Sequence, residues 1–352
     1  MNTLSARYPK LLLNLPTLTL AELPTPLDRA ENLADELGLD TLWIKRDDQS
    51  AAIYGGNKIR KLEYVFADAL ANNCDAVVTF GAAGSNHVLA TAIYAQQIGL
   101  QCYGVLTEQP KTPYTANTLR WHLAVGTHLI PIHGWQASLD AADAVEREHG
   151  TGGHKVYRIF WGGSSWRGAV GFVNAAFELA DQLTYAQAPD KIYVACGTMG
   201  TAVGLALGLR LAQLPTSIEA IQVVPGNAVN EKNMRSLFEE TIRELHAIDD
   251  EIPLLEDPMA NLNLRSEFLG AGYADRTPEG IAAVELMEKT EGLKLETTYT
   301  SKALAALIHD ARAGSLDGQH VAFWNTYNSR PYPPHLDQVD TSKLPTELQQ
   351  YL

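Results

Sequence analysis

The sequence contains few cysteines and lacks any apolar run long enough to cross a membrane. Its three cysteines are few and odd in number, which is typical of reduced thiols in a reducing compartment. The apolar run Leu11–Leu13 could begin a secretory signal, but Asn14 and Pro16 interrupt it and no cleavage pattern follows. A membrane-spanning helix needs about 20 apolar residues. We therefore expect a cytoplasmic protein without membrane association.

Positive charge is also scarce. The chain has 27 Lys+Arg against 41 Asp+Glu, so its formal net charge is -14. Such a protein repels phosphate backbones and anionic lipid surfaces, which argues against nucleic acid as a partner. Internal repeats and low-complexity segments are absent too. With 352 residues, of which 46% are hydrophobic, the chain is predicted to be globular and large enough for two domains.

Short apolar runs alternate with longer segments of helical pattern. Runs of this kind are typical of parallel strands that helices cover on both faces. The predicted strands are Thr41–Ile44, Ala76–Phe80, Cys102–Leu106, Ile192–Ala195, Ile218–Val224 and Val321–Trp324. A glycine-rich zone between 150 and 163 could carry the chain from a smaller domain back to a larger one. We predict two doubly wound α/β domains, a large one of 1–60 and 171–352 and a small one of 61–170.

A lysine and a glycine-threonine loop carry the strongest chemical signal. The segment Gly55–Lys58 reads Gly-Gly-Asn-Lys, and a lysine amine attacks an aldehyde when desolvation lowers its pKa. The loop Gly197–Thr201 follows a predicted strand and opens an apolar helical run, where backbone N–H groups and the helix dipole bind phosphate. Ser85 and Thr326 also follow predicted strands, and ligands of open α/β sheets bind beyond the carboxyl ends of strands. Together these features predict a pyridoxal phosphate site.

Other interpretations of these motifs are weaker. A lone Gly-Gly-Asn-Lys is usually a surface turn, and Gly197–Gly204 fits neither the dinucleotide fingerprint nor the P-loop. Ser85 lacks the second glycine of a hydrolase elbow. Five histidines are close in sequence without the His-Glu-x-x-His spacing of zinc enzymes, so we predict no metal and expect these side chains in solvent or loops. These histidines are His122, His128, His133, His149 and His154.

Taken together, the motifs resemble the D-cysteine desulfhydrase and 1-aminocyclopropane-1-carboxylate deaminase family. The resemblance covers about Leu23 to Thr326, with the motifs in order and at compatible spacings. It rests on Lys45–Asp48, Gly55–Glu63, Ser85–His87, Gly162–Ser164, Gly197–Thr201, Gly272–Tyr273 and Tyr299–Lys302. It implies the tryptophan synthase β-like fold of pyridoxal phosphate enzymes (fold type II), a small amino-acid substrate and a homodimer.

The resemblance also implies catalytic and substrate-binding residues. Lys58 would hold the cofactor covalently and carry a proton to and from the substrate α-carbon. Ser85, with Asn86 and His87 beside it in the motif, would lie near the substrate and act at its carboxylate or in proton transfer. Tyr273 and Tyr299 would flank the substrate, and one of them would assist proton movement or pack on the ring.

The remaining implied residues bind the cofactor. Asn86 would donate a hydrogen bond to the phenolic oxygen of the ring. Thr326 would face the pyridine nitrogen. The phosphate would be held by backbone N–H groups and hydroxyls of Gly197, Thr198, Met199, Gly200 and Thr201.

Two threonines bear on the choice of reaction. Deaminases of the family carry a glutamate where this chain has Thr300 and a leucine where it has Thr326, whereas desulfhydrases carry hydroxyl residues. A neutral partner makes the ring a weaker electron sink, which suits loss of a good leaving group better than opening of a cyclopropane. The residues therefore favour elimination from a β-substituted amino acid.

Other reactions remain open at the level of sequence. Gly84, Val88 and Tyr327 depart from the family pattern beside the expected pocket, so the preferred amino acid and its enantiomer stay open. The alternatives are a cyclopropane deaminase, a related β-replacement enzyme or racemase, and a pyridoxal phosphate carrier without catalysis.

Overall fold

The computed structural model describes residues 3–184, 187–226 and 228–352, and the chain forms two compact units. The first unit consists of Met1–Leu15, Ala21–Lys61 and Ser164–Ser329. The second consists of Pro16–Leu20, Leu62–Gly163 and Arg330–Leu352. No helix in the described part of the chain is both long and apolar enough to span a bilayer.

Strands and helices alternate along most of the described chain. The strands are β1 (Leu27–Arg29), β2 (Thr41–Lys45), β3 (Ala76–Ala82), β4 (Gln101–Thr107), β5 (His128–Ile132), β6 (Val156–Ile159), β7 (Lys191–Cys196), β8 (Ser217–Gln222), β9 (Leu262–Arg265) and β10 (His320–Trp324). The helices are α1 (Thr3–Arg7), α2 (Pro9–Asn14), α3 (Glu31–Leu37), α4 (Lys58–Ala71), α5 (Asn86–Gln97), α6 (Thr115–Ala124), α7 (Ala137–His149), α8 (Trp166–Gln182), α9 (Gly200–Leu211), α10 (Glu231–Ile248), α11 (Pro278–Glu291) and α12 (Thr300–Arg312). All six predicted strands are confirmed.

The first unit is built on a six-stranded sheet in the order β1-β2-β10-β7-β8-β9. Its strands are parallel except for β1, which pairs antiparallel with β2. Central strands such as β7 and β10 are buried almost throughout, because helices cover parallel sheets on both faces. Helices α3, α11 and α12 share one apolar core with these strands, and α8, α9 and α10 pack on one another. The predicted α/β fold class is confirmed.

The second unit contains a four-stranded parallel sheet in the order β5-β4-β3-β6. The C-terminal segment Arg330–Leu352 belongs to this unit, because Leu344, Leu348 and Tyr351 bury their side chains with Val88 in one apolar cluster. The sequence-based division had placed the whole of 171–352 in the large domain. The structure instead groups Arg330–Leu352 with the second unit, since the spacing of apolar residues along a segment does not show which sheet they pack against.

A buried ionic network fixes the first turn of α4 inside the first unit. Arg60 donates to both Asp47 and Glu178, and Lys45 donates to Glu178 at 2.6 Å. Trp324 Nε1 donates to Asp47 at 2.8 Å. Burial acts to raise the pKa of Glu178, but the Arg60 and Lys45 cations outweigh it and lower that pKa to about 2. The network therefore anchors the helix two residues beyond Lys58.

Replacing Glu178 with glutamine should destabilise the chain by about 3–5 kcal/mol, because it leaves the buried Lys45 without its charged partner and removes one of the two carboxylates that pair with the buried Arg60. The carboxylate stabilises the fold fully above its ordinary pKa of 4.5, and this contribution fades as the pH falls towards about 2. The wild type should therefore lose stability on acidification more steeply than Glu178→Gln. Urea unfolding at neutral and acid pH measures both effects, with the exposed Glu285→Gln as control. Equal stability of the two variants at pH 7 would contradict this assignment.

Candidate cofactor and active site

Lys58 opens helix α4 at the end of a loop that is held by its neighbours. Gly56 has a φ of 97°, and a Cβ there would lie 2.8 Å from the carbonyl oxygen of Thr326. The backbone N–H of Asn57 donates to that same oxygen at 3.1 Å, and its side-chain Nδ2 donates to Thr201 Oγ1 at 3.0 Å. Only glycine fits this close approach. Within the first unit, the loop thus places Lys58 between Thr326 and the glycine-threonine loop.

The amine of Lys58 has an altered acidity. Its side chain retains partial exposure, yet surrounding protein desolvates the ammonium form and lowers the pKa to about 8. The neighbouring Cys196 is buried, and desolvation raises the pKa of its thiol to about 12, so the thiol stays protonated. A substantial fraction of the lysine is therefore neutral and nucleophilic near neutral pH.

The rate at which the cofactor-free chain takes up pyridoxal phosphate covalently should follow this pKa. As the pH falls below about 8 the protonated, unreactive fraction of Lys58 grows, so the rate should rise with pH and level off above that value. Stopped-flow absorbance of the new visible band between pH 6 and 10 gives the profile. A rise that continues to the ordinary lysine pKa of 10.5 would show that the amine is not desolvated.

The glycine-threonine loop joins β7 to α9 and is surrounded by polar groups. Met199 adopts a φ of 68°, which is rare outside glycine and marks a constrained turn. Ser164 Oγ donates to Thr198 Oγ1 at 2.9 Å and accepts from the N–H of Gly200 at 3.2 Å. Lys61 Nζ donates to Ser164 Oγ at 3.3 Å. The loop, a hydroxyl pair and an amine therefore meet at the start of α9.

These groups fit a phosphate. A Cβ on Gly200 would lie 2.7 Å from Ser164 Oγ and 2.9 Å from Lys61 Nζ, so glycine keeps the helix start open. Desolvation lowers the pKa of Lys61 well below its usual range, and the nearby Lys58 cation lowers it further. An anion beside two such amines offsets both effects, and the N-terminus of α9 adds its positive dipole. The donor set thus suits the phosphate of pyridoxal phosphate.

Tyr273 and Tyr299 lie together beside the same loop. Their hydroxyl oxygens are 2.7 Å apart and their rings meet edge to face with centroids 6.0 Å apart. Tyr299 Cε1 lies 3.5 Å from the position that a Cβ of Gly197 would take. Desolvation raises the pKa of Tyr273 to about 12, so its hydroxyl is protonated at neutral pH. The pair is able to pass a proton from one phenol to the other.

Glu296 is a buried carboxylate that the sequence did not single out. Its oxygens accept hydrogen bonds from the backbone N–H groups of Thr298, Tyr299 and Thr300, and from the Thr300 hydroxyl at 3.1 Å. Burial raises the pKa of Glu296 despite these donors. The carboxylate caps the start of α12, and this contact occupies Thr300, so Thr300 acts in the helix start and in the placement of Tyr299.

Ser85, Asn86 and His87 lie in the second unit, at the start of α5. Ser85 caps this helix by accepting from the N–H of Val88 at 3.4 Å, and Asn86 is its first residue. His87 is buried, with its Nε2 2.9 Å from Thr79 Oγ1 in β3. The position at the carboxyl end of a parallel strand agrees with the sequence-based expectation. Their roles towards cofactor and substrate stay predictions.

A clamp from the C-terminal segment holds the turn before Ser85. The N–H of Gly84 donates to Gln109 Oε1 at 2.9 Å, and a Cβ on Gly84 would lie 2.9 Å from Gln109 Nε2. The buried Tyr351 hydroxyl in turn accepts from the N–H of Gln109 at 2.9 Å and donates to its carbonyl at 3.0 Å. The Gln109 amide thus fills the space that a side chain at position 84 would need.

The clustered histidines differ from one another. His122 is fully buried in α6, against the expectation that it faces solvent, and desolvation lowers its pKa to about 3. It sits there as a neutral ring whose Nδ1 lies 3.0 Å from Thr127 Oγ1. His133 is exposed as expected. His149 and His154 converge on Asp75, a residue distant in sequence.

Comparisons with known proteins identify similar sequences and structures. The model of the family described as pyridoxal-phosphate dependent enzymes matches residues 18–326. D-cysteine desulfhydrase of Klebsiella pneumoniae (strain 342) is 35% identical over 297 residues, which cover 83% of this chain and 88% of the relative. The D-cysteine desulfhydrase of Salmonella choleraesuis (strain SC-B67) is also 35% identical, with the same coverage.

Solved structures give the same fold. A crystal structure described as an ACC deaminase homologue superposes with a TM-score of 0.78 at 28% identity, over 100% of both chains. A fungal L-serine ammonia-lyase from Rhizomucor miehei has a TM-score of 0.62 at 19% identity, over 91% of this chain and 98% of its own. The second likeness speaks for the fold alone.

Proposed function

This chain belongs to the family of pyridoxal-phosphate dependent enzymes, and we propose that it eliminates the β-substituent of a small D-amino acid such as D-cysteine. The balanced reaction consumes D-cysteine and water and yields pyruvate, hydrogen sulfide and ammonia. Elimination is supported by the D-cysteine desulfhydrases that the chain resembles over most of its length. The observation that carries the proposal is a lysine of lowered pKa near a helix start at which a serine hydroxyl, a lysine amine and a backbone N–H meet.

Lys58 and its neighbours would bind and place the cofactor. Pyridoxal phosphate, when bound, supplies an electron sink that stabilises negative charge at the substrate α-carbon. Lys58 would hold it through its aldehyde, and its amine, once released by the substrate, would take the α-proton. Ser164, Thr198 and Lys61 would bind the phosphate together with the backbone N–H groups of α9. Lys61 is thus a proposed phosphate-binding residue in addition to those identified from the sequence.

The tyrosine pair would assist the departing group. A thiolate leaves more readily when a proton reaches it, and Tyr273 and Tyr299 share a hydrogen bond beside Gly197. We propose that one phenol donates this proton and is reprotonated through the other. Ser85 and Asn86 would contact the substrate carboxylate and the ring oxygen, and Thr326 would face the ring nitrogen as a neutral partner.

We also propose a cellular compartment and an oligomeric state for this protein. The three cysteines are free thiols, which suits a reducing cytoplasm. The resemblance to the desulfhydrase and deaminase family favours a homodimer. Size-exclusion chromatography with light scattering tests the second proposal, and a monomer at micromolar concentration would refute it.

The substrate is tested by comparing kcat/KM for D-cysteine, β-chloro-D-alanine and 1-aminocyclopropane-1-carboxylate. Thiolate and chloride depart readily from a weakly stabilised carbanion, whereas opening a cyclopropane needs a stronger sink, so we expect the first two substrates to react faster. An advantage of the cyclopropane by even about tenfold, 1.4 kcal/mol in the transition state, would overturn the proposal. Cofactor binding without turnover of any of the three, or of their L-enantiomers, would favour a carrier.

A further inference from the structure

Three metal-ligating side chains meet in the second unit, away from the motifs described above. Asp75 directly precedes β3, His149 is the last residue of α7, and His154 follows in the glycine-rich loop that leads to β6. His149 Nε2 lies 2.9 Å from Asp75 Oδ1, and His154 Nδ1 is hydrogen-bonded to Asp75 Oδ2. The two ring nitrogens and a carboxylate oxygen all lie within 4.8 Å of one another.

This spacing suits a zinc ion. Zn²⁺ binds imidazole nitrogen and carboxylate oxygen at about 2.0–2.2 Å, so a tetrahedral ion holds neighbouring ligand atoms roughly 3.3 Å apart. Small rotations of the side chains reach that separation, and the loop that carries His154 contains Gly152 and Gly153 at positive φ. We propose that Asp75, His149 and His154 bind a divalent zinc-like ion, with water completing its coordination. On binding, each neutral ring presents its unprotonated nitrogen to the ion and carries its proton on the other ring nitrogen.

The surroundings of the cluster orient the ligands. Tyr103 Oη lies 3.1 Å from His149 Nδ1, the ring nitrogen that the ion would leave free, and second partners of this kind fix the tautomer of metal-bound histidines. The N–H of Lys155 donates to Asp75 Oδ1 at 3.1 Å. Asp75 and Lys155 lie on neighbouring strand ends of a paired sheet, so the carboxylate is held on rigid backbone.

The position of the cluster indicates what the ion does. Asp75 and Lys155 lie at the amino ends of β3 and β6, whereas Ser85 follows the carboxyl end of β3. A strand rises about 3.3 Å per residue, so the length of β3, about 20 Å, separates the two. The ion would tie the end of α7 and the loop after it to the sheet. It therefore stabilises the second unit and leaves turnover unchanged.

Titration of the purified, untagged full chain with zinc chloride tests the proposal. Calorimetry should show one ion per chain, and the unfolding temperature should rise by a few degrees in zinc. His149→Ala and His154→Ala should each weaken zinc binding at least tenfold and abolish the thermal shift. Tyr103→Phe should weaken it less. Cobalt(II) offers a second measurement, because its visible absorption depends on the geometry of its ligands and would report a tetrahedral site.

His133→Asn is the matched control, since His133 is an exposed histidine of the same unit outside the cluster. It should bind zinc like the wild type. Cys74→Ser checks that the neighbouring thiol does not supply the affinity. The proposal would be overturned if the wild type bound no zinc at a concentration on the order of 100 µM. Equal zinc binding by the wild type and the His154→Ala variant would overturn it too. His154 stands in a loop, so this variant gives an answer even if His149→Ala fails to fold. Turnover of β-substituted amino acids is measured separately, and its absence would bear only on the proposed function.

Discussion

Replacing Lys58 with alanine is expected to lower the elimination rate by more than about a thousandfold, because in the proposed function this one side chain both binds the cofactor covalently and carries the α-proton. The wild-type protein should be yellow and should lose its visible band on reduction with borohydride. The variant should show no reducible band, even with cofactor added. Absorption spectra before and after reduction, together with pyruvate release, measure both effects.

Two further variants test whether the loss of activity comes from loss of the Lys58 amine. Lys58→Arg keeps a cation but cannot bond the aldehyde near neutral pH, so it should be as inactive as the alanine variant. The exposed Lys294→Ala should behave as the wild type. Turnover of Lys58→Ala at the wild-type rate would remove Lys58 from the mechanism.

Replacing Gly200 with valine should cause the chain to lose its cofactor on dialysis. Even the Cβ would press on Ser164 Oγ and Lys61 Nζ, at 2.7 and 2.9 Å, and the added methyl groups would occupy the helix start that the phosphate needs. Each lost phosphate hydrogen bond to a charged group costs about 1.5–3 kcal/mol, so the combined loss should weaken binding by more than about a hundredfold. Cofactor content per chain after dialysis gives the answer.

The control for this variant is Gly226→Val, on an exposed turn where a Cβ meets nothing closer than 3.9 Å. It should retain the cofactor. Circular dichroism should be unchanged for both variants, which separates loss of binding from loss of fold. Full retention by Gly200→Val would mean that the phosphate lies elsewhere.

The strongly apolar strands could be predicted from the sequence, while the weaker strands could not. Each of the six predicted strands lies between two other strands of its sheet, where burial on both faces leaves a continuous apolar run. The missed β1 and β9 are edge strands of three and four residues, and β5 is an edge strand that contains Pro131. β6 is the fourth, at the other edge of the smaller sheet. Edge strands lack this continuous apolar run because solvent takes the place of the neighbouring strand on one side.

The sequence likewise revealed only some residues of the candidate active site. Lys58 and the glycine-threonine loop stand in local motifs, so the sequence identified them, and the structure places them together in the first unit. Lys61 and Glu296 have no motif of their own, and their environment arises only when distant segments meet. The spacing of Lys58 and Lys61 by three residues at a helix start was the available signal, since it puts both amines on one face.

The clamp of Gly84, Gln109 and Tyr351 links a segment far along the sequence to the turn before Ser85. The Tyr351 hydroxyl fixes both backbone groups of Gln109, and the Gln109 side chain accepts from the N–H of Gly84. Replacing Tyr351 with phenylalanine would remove that hydroxyl and thereby loosen the turn before Ser85, although the two residues are distant in sequence.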